Sequence, residues 1–230
     1  MYNQICMIDF ITSNLLWTQG RFILFAIAVV AGISYIYWRP FLYVTLAFFV
    51  FSFYFFRNPT RECVAYKMDP IVLICPADGK VVDIVYDQEN GLQGYAQKVS
   101  IFLSPLDVHV NWLPTDGTIE QITYTPGKFI MAFLPKSSEL NEHNDVIIRH
   151  ANGNTIKVRQ IAGFIARRIC WWVSQGQLVS AGQKYGMIRF GSRVDIFLPS
   201  CVMLQVGVGQ RVSGGSTVLG RWTCQSLPNG

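Results

Sequence analysis

Arg211-Val212-Ser213-Gly214-Gly215-Ser216-Thr217-Val218-Leu219-Gly220, near the C-terminus, decides how the β-rich part of this chain is read. Two residues without a Cβ stand directly before a serine hydroxyl. The backbone there can enter conformations closed to other residues and let the Ser216 Oγ approach its own upstream carbonyl. Attack on the Gly215 carbonyl would turn that peptide into an ester, and β-elimination would leave a dehydroalanine. Tautomerisation and hydrolysis would then give an N-terminal pyruvoyl group. The plainer reading makes Gly214-Gly215-Ser216-Thr217 a hairpin turn between strands at 205–212 and 217–221.

Working outward from that turn, short apolar runs with β-branched or alternating patterns recur. They fall at 71–75, 80–86, 97–103, 108–113, 117–124, 145–150, 155–161, 184–190, 193–198 and 203–208, and Gly, Pro, Asp and Asn punctuate them. Helical periodicity is scarce, so the expected fold is mainly β, one barrel or sandwich domain with Gly-rich corners. The pieces around 182–186 and 207–209 resemble lipoyl-carrier hairpins. No internal repeat or low-complexity tract stands out.

Upstream of Arg57 the texture is different. Residues 22–38 carry no charge, Arg39-Pro40 interrupts, and 41–56 again carry none. Each arm falls a few residues short of the ~20 that cross a bilayer comfortably. Flanking aromatics at Tyr35, Tyr37, Trp38, Tyr43 and Tyr54 mark the pair as a membrane hairpin. Before it, an amphipathic opening from Met1 to Arg21 suits a membrane surface. The apolar region is too long and too clearly doubled for a secretory signal. Arg21, Arg57, Arg61 and Lys67 outside the hairpin against Arg39 in its turn place both ends in the cytoplasm. The expected division is an anchor over 1–62 and a catalytic β domain over 63–230.

Half the residues are hydrophobic (51%) and only 14% are charged, which suits one domain of ordinary size plus an anchor and not a many-helix transporter. A net charge of +5 is too small to argue for nucleic acid, but it suits anionic lipid headgroups. Six cysteines without CxxC spacing or a Cys/His ligand cluster read as reduced thiols, with no metal site.

Three histidines are present, and histidine is the side chain most easily used as a proton shuttle near neutral pH. His109 lies in Ser104-Pro105-Leu106-Asp107-Val108-His109, followed by Val110-Asn111-Trp112-Leu113-Pro114; read alone it is as well suited to a buried structural role. Asp78, in Pro76-Ala77-Asp78-Gly79, is either a turn residue or the carboxylate that orients and charges a histidine acting on Ser216. Arg167, Arg168 and Arg193 sit among apolar neighbours, where guanidinium groups serve either core ion pairs or a lipid phosphate.

Phe55-Phe56-Arg57-Asn58-Pro59-Thr60-Arg61, Pro76-Ala77-Asp78-Gly79, Ser104-Pro105-Leu106-Asp107-Val108-His109, Asn141-Glu142, Ala166-Arg167-Arg168-Ile169, Phe190-Gly191-Ser192-Arg193-Val194-Asp195 and Gly214-Gly215-Ser216-Thr217 occur in that order. The chain resembles the short bacterial form of phosphatidylserine decarboxylase proenzymes over essentially its whole length. The resemblance implies cleavage between Gly215 and Ser216 into a β chain, 1–215, and an α chain, 216–230. The α chain would open with a covalent pyruvoyl cofactor that forms a Schiff base with a membrane phospholipid, phosphatidylserine. Loss of CO2 would yield phosphatidylethanolamine. It also ties His109 to decarboxylation and Asp78 to self-cleavage. Longer members carry a second histidine where this chain has Trp112, so either His109 serves both steps or a group such as His143 replaces the missing base; His109 is favoured.

Two other classes fit parts of the pattern. A non-enzymatic membrane adaptor with a lipoyl-like β domain would remain one chain. A serine hydrolase would need a G-x-S-x-G elbow, which Ser216 lacks. Association into a homo-oligomer is left open.

Overall fold

Pro40 occupies one of the first two positions of a helix, where its missing N–H would have had no intrahelical partner. That residue fixes where the apolar segment turns back on itself. The computed structural model describes residues 17–87, 91–128, 140–163, 169–188 and 192–224. Most of the amphipathic opening at Met1 to Arg21 therefore lies outside the described residues, as do Arg167 and Arg168. The chain divides between Thr60 and Arg61 into two compact units.

The first unit is a pair of helices, α1 (Trp17–Tyr37) and α2 (Arg39–Phe55), which cover the apolar arms expected at 22–38 and 41–56. Trp38 forms the link and stacks on Phe41. Gly20 lets the chain close up, because a Cβ there would stand 2.9 Å from the Phe56 ring. Hydroxyl groups are returned to the backbone. Ser34 Oγ donates to Val30 O (2.7 Å), Thr45 Oγ1 to Leu42 O (2.9 Å) and Ser52 Oγ to Phe48 O (2.8 Å), which satisfies these three hydroxyls without water. Apolar side chains such as Phe22, Ile36, Val44 and Val50 point outward. Residues Gly20–Tyr37 (mean hydropathy 1.8) make one helix long and apolar enough to cross a membrane.

The second unit opens with a short helix, α3 (Val64–Met68), and its other named elements among the described residues are strands. Its strands are β1 (Val72–Ile74), β2 (Gly79–Tyr86), β3 (Gln97–Leu103), β4 (Val110–Trp112), β5 (Gly117–Thr125), β6 (His143–Arg149) and β7 (Thr155–Ala162). There follow β8 (Ile169–Trp171), β9 (Leu178–Val179), β10 (Lys184–Ile188), β11 (Ser192–Leu198), β12 (Val202–Leu204), β13 (Arg211–Val212) and β14 (Val218–Trp222). Alternation marked the longer strands, whereas β8 and β9 are too short to carry a readable period.

These strands form an eight-stranded sheet, β13-β2-β3-β11-β7-β6-β5-β9, and two three-stranded sheets, β1-β14-β12 and β4-β10-β8. The paired strands are all antiparallel. The fold is mainly β, as expected. Of barrel and sandwich, no closed barrel forms: among the described residues no pairing joins β13 to β9, the two ends of the large sheet. One apolar cluster runs through all three sheets, with Leu73, Val99, Leu113, Val158, Ile188, Val194 and Leu219 fully buried. β11 is buried at every position and forms its middle.

The hairpin reading of Gly214-Gly215-Ser216-Thr217 does not hold. β13 belongs to the eight-stranded sheet, where Val212 pairs with Gly79, while β14 lies between β1 and β12. The turn therefore carries the chain from one sheet to another. Local sequence cannot distinguish this from a hairpin, because β2 and β1, the partners that draw β13 and β14 into different sheets, lie more than a hundred residues upstream.

Candidate functional site

Four turns in the second unit share one geometry among the described residues. In Ser174-Gln175-Gly176-Gln177, Ser180-Ala181-Gly182-Gln183 and Gly207-Val208-Gly209-Gln210 the third residue is a glycine at φ +81°, +77° and +89°. The fourth residue's N–H returns to the first carbonyl at 3.1–3.2 Å, the bond of a type II turn. Each Gln side chain then accepts the first residue's N–H, at 3.0, 3.2 and 3.0 Å. The signal, a Gly-Gln pair at 176–177, 182–183 and 209–210, is present in the sequence but too short to stand out as a repeat.

The fourth turn is Ser213-Gly214-Gly215-Ser216. Gly215 has φ +74° and the Ser216 N–H reaches Ser213 O at 3.2 Å. Serine stands where the others have glutamine, so Thr217 Oγ1 replaces the missing amide and accepts the Ser213 N–H at 2.9 Å. In the glutamine turns one neighbouring residue exchanges both backbone bonds with the glycine and the glutamine: Ile119 with Gly176 and Gln177, Leu113 with Gly182 and Gln183, Val81 with Gly209 and Gln210. Here Cys75 accepts from Gly215 N (3.0 Å) but donates to Thr217 O (2.9 Å), passing over Ser216. Ser216 is thus an extra residue in the ladder, a bulge. It is half-buried, and its Oγ makes no hydrogen bond among the described residues.

The glycines are required by what lies over them. A Cβ on Gly214 would stand 2.5 Å from Trp112 Cε3, and one on Gly215 would stand 2.9 Å from Trp112 Cδ1, as well as being strained at positive φ. Trp112 is fully buried on β4, and its Nε1 has no hydrogen-bond partner. Its backbone N–H is held by Pro76 O (2.8 Å), so the Pro76-Ala77-Asp78-Gly79 segment places both the indole and Asp78. Gly79 makes that placement possible: at φ +146° it lies so close to β3 that a Cβ would meet Phe102 O at 2.1 Å.

Asp78 is buried and accepts from four donors. Arg61 forks onto both carboxylate oxygens, with Nη2 at 2.9 Å from Oδ2 and Nη1 on Oδ1. Gly214 N donates to Oδ1 at 2.9 Å and Val108 N reaches Oδ2 at 3.4 Å. Arg61 Nη1 also donates to Gly214 O at 2.9 Å, and its guanidinium lies 5.1 Å from the Trp112 ring centroid. The Gly214 residue is therefore held through its N–H by a carboxylate and through its C=O by a guanidinium. Local sequence did not single out Arg61. It lies 153 residues from Gly214, and only folding brings the two together.

His109 is fully buried. Ser104-Pro105-Leu106-Asp107 closes a turn, with Asp107 N donating to Ser104 O (2.9 Å) and Ser104 N to Asp107 Oδ2 (2.8 Å). That turn presents the Asp107 carbonyl to His109 Nδ1 at 2.9 Å. A carbonyl only accepts, so Nδ1 is the donor in this bond and carries a proton. Asp78 reaches this histidine through the neighbouring Val108 amide and not through the imidazole itself. His143 has the same tautomer, from Nδ1 to Asn141 O (2.8 Å), but sits within the large sheet on β6 opposite Ile161 and Thr125. His150 has the opposite one, its Nδ1 accepting from Asn152 N, and stacks on Trp222. Burial pushes the thiol of Cys75, next to the turn, far up from its ordinary value, so it stays protonated.

Arg193 is 2% exposed. Its Nε donates to Asp195 Oδ1 (2.6 Å) and an Nη donates to Ser100 Oγ (2.7 Å), which places it in a buried ion pair within β11. Among the described residues no group of three or more His, Cys, Asp or Glu side chains is placed to hold a metal ion.

The family model described as phosphatidylserine decarboxylase matches residues 48–220. A phosphatidylserine decarboxylase proenzyme of Salinibacter ruber is 43% identical over 186 residues, 80% of this chain and 82% of that protein. Proteins of the same name from Desulfotalea psychrophila and Syntrophus aciditrophicus are each 42% identical over 172 residues, 74% of this chain and 79% of theirs.

Proposed function

Because the chain belongs to the phosphatidylserine decarboxylase family, we propose that it converts phosphatidylserine to phosphatidylethanolamine and CO2, using a pyruvoyl group made from Ser216 by cleavage of the Gly215–Ser216 bond. One observation carries this reading. Gly214 is gripped through its N–H by Asp78 and through its C=O by Arg61, while Gly215 is bent to φ +74° beneath Trp112. One glutamine turn also has a carboxylate on the N–H of its second residue, half-buried Asp116 on Ala181 N at 2.7 Å, but among the described residues none of the three adds a guanidinium on the carbonyl or an indole over the glycine, so shape alone does not call for the full set.

The residues fit formation of a pyruvoyl group. The Ser216 Oγ is unpaired, it is displaced from the ladder, and the residue before it is pinned. In this proposal His109 takes the Ser216 hydroxyl proton, and Oγ attacks the Gly215 carbonyl carbon. The C–N bond breaks, the nitrogen takes the proton back, and an ester joins Gly215 to Ser216. Loss of the Ser216 Cα proton then expels the Gly215 carboxylate. Water releases the nitrogen as ammonia and leaves the new N-terminus. Asp78 and Arg61 keep the peptide from relaxing out of line, the kind of positioning that makes an intramolecular attack effective.

A pyruvoyl group supplies a ketone that condenses with an amine, and a conjugated carbonyl that accepts the electron pair left by CO2. His109 holds the proton that returns to the substrate Cα. Arg167 and Arg168 receive the lipid phosphate, with Arg193 bracing β11. The small chain, 216–230, stays in place because β14 is the middle strand between β1 and β12, with Leu219 and Trp222 buried. α1 and α2 anchor the protein at the inner membrane with the β unit in the cytoplasm, which keeps it beside a substrate that never leaves the bilayer.

Intact mass under denaturing conditions tests the proposal. The expected result is two species that divide between Gly215 and Ser216, the smaller lighter than a serine-started peptide by the conversion of serine to pyruvoyl. A single full-length mass from protein purified out of a host making phosphatidylserine overturns it and favours an adaptor.

A further inference from the structure

Cys201 and Cys224 lie at the far end of β14 from the Gly214–Ser216 turn, with their sulfurs 2.8 Å apart. The register of β12 with β14, Val202 opposite Trp222, continues through the bond from Thr223 N to Cys201 O (2.8 Å) and sets Cys201 beside Cys224. Both are partly exposed, unlike Cys63 and Cys75, which are buried. Two side-chain amides converge on one of the two sulfurs, Asn152 Nδ2 at 3.2 Å and Asn154 Nδ2 at 3.4 Å from Cys224 Sγ. The two amides fix the Cys224 sulfur in place beside Cys201, so Cys224 is the sulfur that enters reaction first. The Cys201 thiol is pushed up to about 11 by burial and by the neighbouring Cys224, which suits it to the second step.

We infer that Cys201 and Cys224 are a modification site, a thiol pair that closes to a reversible disulfide by exchange with a small-molecule disulfide of the glutathione type. The Cys224 thiolate attacks one sulfur of glutathione disulfide, which breaks the S–S bond and releases one glutathione thiolate. Cys201 then gives up its proton and attacks the Cys224 sulfur of the mixed disulfide, releasing the second glutathione. Two protein thiols are oxidised and one disulfide is reduced to two thiols. In a reducing cytosol the bond forms only under oxidative load and reverses afterwards.

The position of the pair gives the bond a consequence that rests on the proposed cleavage. Cys201 lies before the cut and Cys224 after it, so cleavage at Gly215–Ser216 leaves the two thiols on different chains. Before oxidation the small chain is kept by strand pairing and burial alone. After oxidation it is tied covalently, at the end opposite its new N-terminus.

The test uses the full-length protein in detergent micelles, incubated with glutathione disulfide. Remaining thiols are alkylated under denaturing conditions and the protein is digested and weighed without reductant. The expected result is a cross-linked peptide pair containing Cys201 and Cys224, lost on reduction. On gels without reductant the two chains should run as one species and separate once reduced. Cys201→Ser and Cys224→Ser each lose the link entirely, while Cys170→Ser keeps it. Alkylation of both thiols, or glutathione retained on them without a cross-linked peptide, overturns the inference. Ser216→Ala protein separates the two proposals. A cross-link in that uncut chain, with wild type also uncut, sinks cleavage and leaves the disulfide standing; cleavage in wild type with no cross-link in either protein does the reverse.

Discussion

Gly207-Val208-Gly209-Gln210 and Ser213-Gly214-Gly215-Ser216 are neighbouring turns of the same backbone type, and only the second sets a serine hydroxyl outside the ladder. At Gly209 a Cβ would meet nothing within 4 Å, and Gln210 closes its own turn while pairing in step with Val81. At Gly215 a Cβ would strike Trp112, Thr217 closes the turn in place of glutamine, and the ladder slips past Ser216. The difference teaches that the turn shape is a common scaffold. Three additions turn it into a candidate site: a side chain too short to cap its own turn, a one-residue bulge, and a clamp on Gly214, one residue upstream of the proposed cut's Gly215.

Removing the nucleophile separates the two turns most sharply. Ser216→Ala should leave a folded, uncut chain with no detectable small fragment by denaturing mass spectrometry, and cleavage persisting in this variant would break the assignment. Gly215→Ala should come next. Positive φ and overlap with the indole together cost about 2–5 kcal/mol, seen as a lowered denaturation midpoint along with lost cleavage, whereas Gly209→Ala should cost about 1 kcal/mol and cleave at the wild-type rate. Equal effects at the two glycines would erase the comparison. Asp78→Asn weakens charged hydrogen bonds to Arg61 and Gly214 worth about 1.5–3 kcal/mol, so a time course of chain separation should slow by about 10- to 100-fold. The smallest effect belongs to Thr217→Val, which orphans the Ser213 N–H and should cost about 1 kcal/mol with cleavage slowed only slightly.

How much of this was legible differs from residue to residue. The helix pair was readable because Arg39-Pro40 interrupts two uncharged runs, a local signal. The long strands were readable for the same reason: their alternation is written in adjacent residues. The pairing of β13 with β2 and of β14 with β1 and β12 was not, and it changes Gly214–Ser216 from a hairpin into a crossing between sheets. Asp78, His109 and Ser216 were recognisable as candidates by residue type and motif. That Asp78 engages Arg61 and the Gly214 amide, touching the histidine's segment only at Val108, could not be read from their spacing. Arg193, picked out for its apolar neighbours, is in a buried pair with Asp195 two residues away.

By itself the sequence determined what depends on near neighbours. That covers which segments are apolar helices, which are strands, where glycine permits a left-handed turn, and through the ordered motifs, which family the chain resembles. Tertiary structure alone decided what depends on distant partners. It set Arg61 on Gly214 across 153 residues, laid Trp112 over both glycines, slipped the ladder at Ser216, and brought Cys201 beside Cys224. The physical reason is that local backbone preference acts over a few bonds, whereas a clamp or a thiol pair exists only once burial of the common core has fixed the sheets that carry its parts.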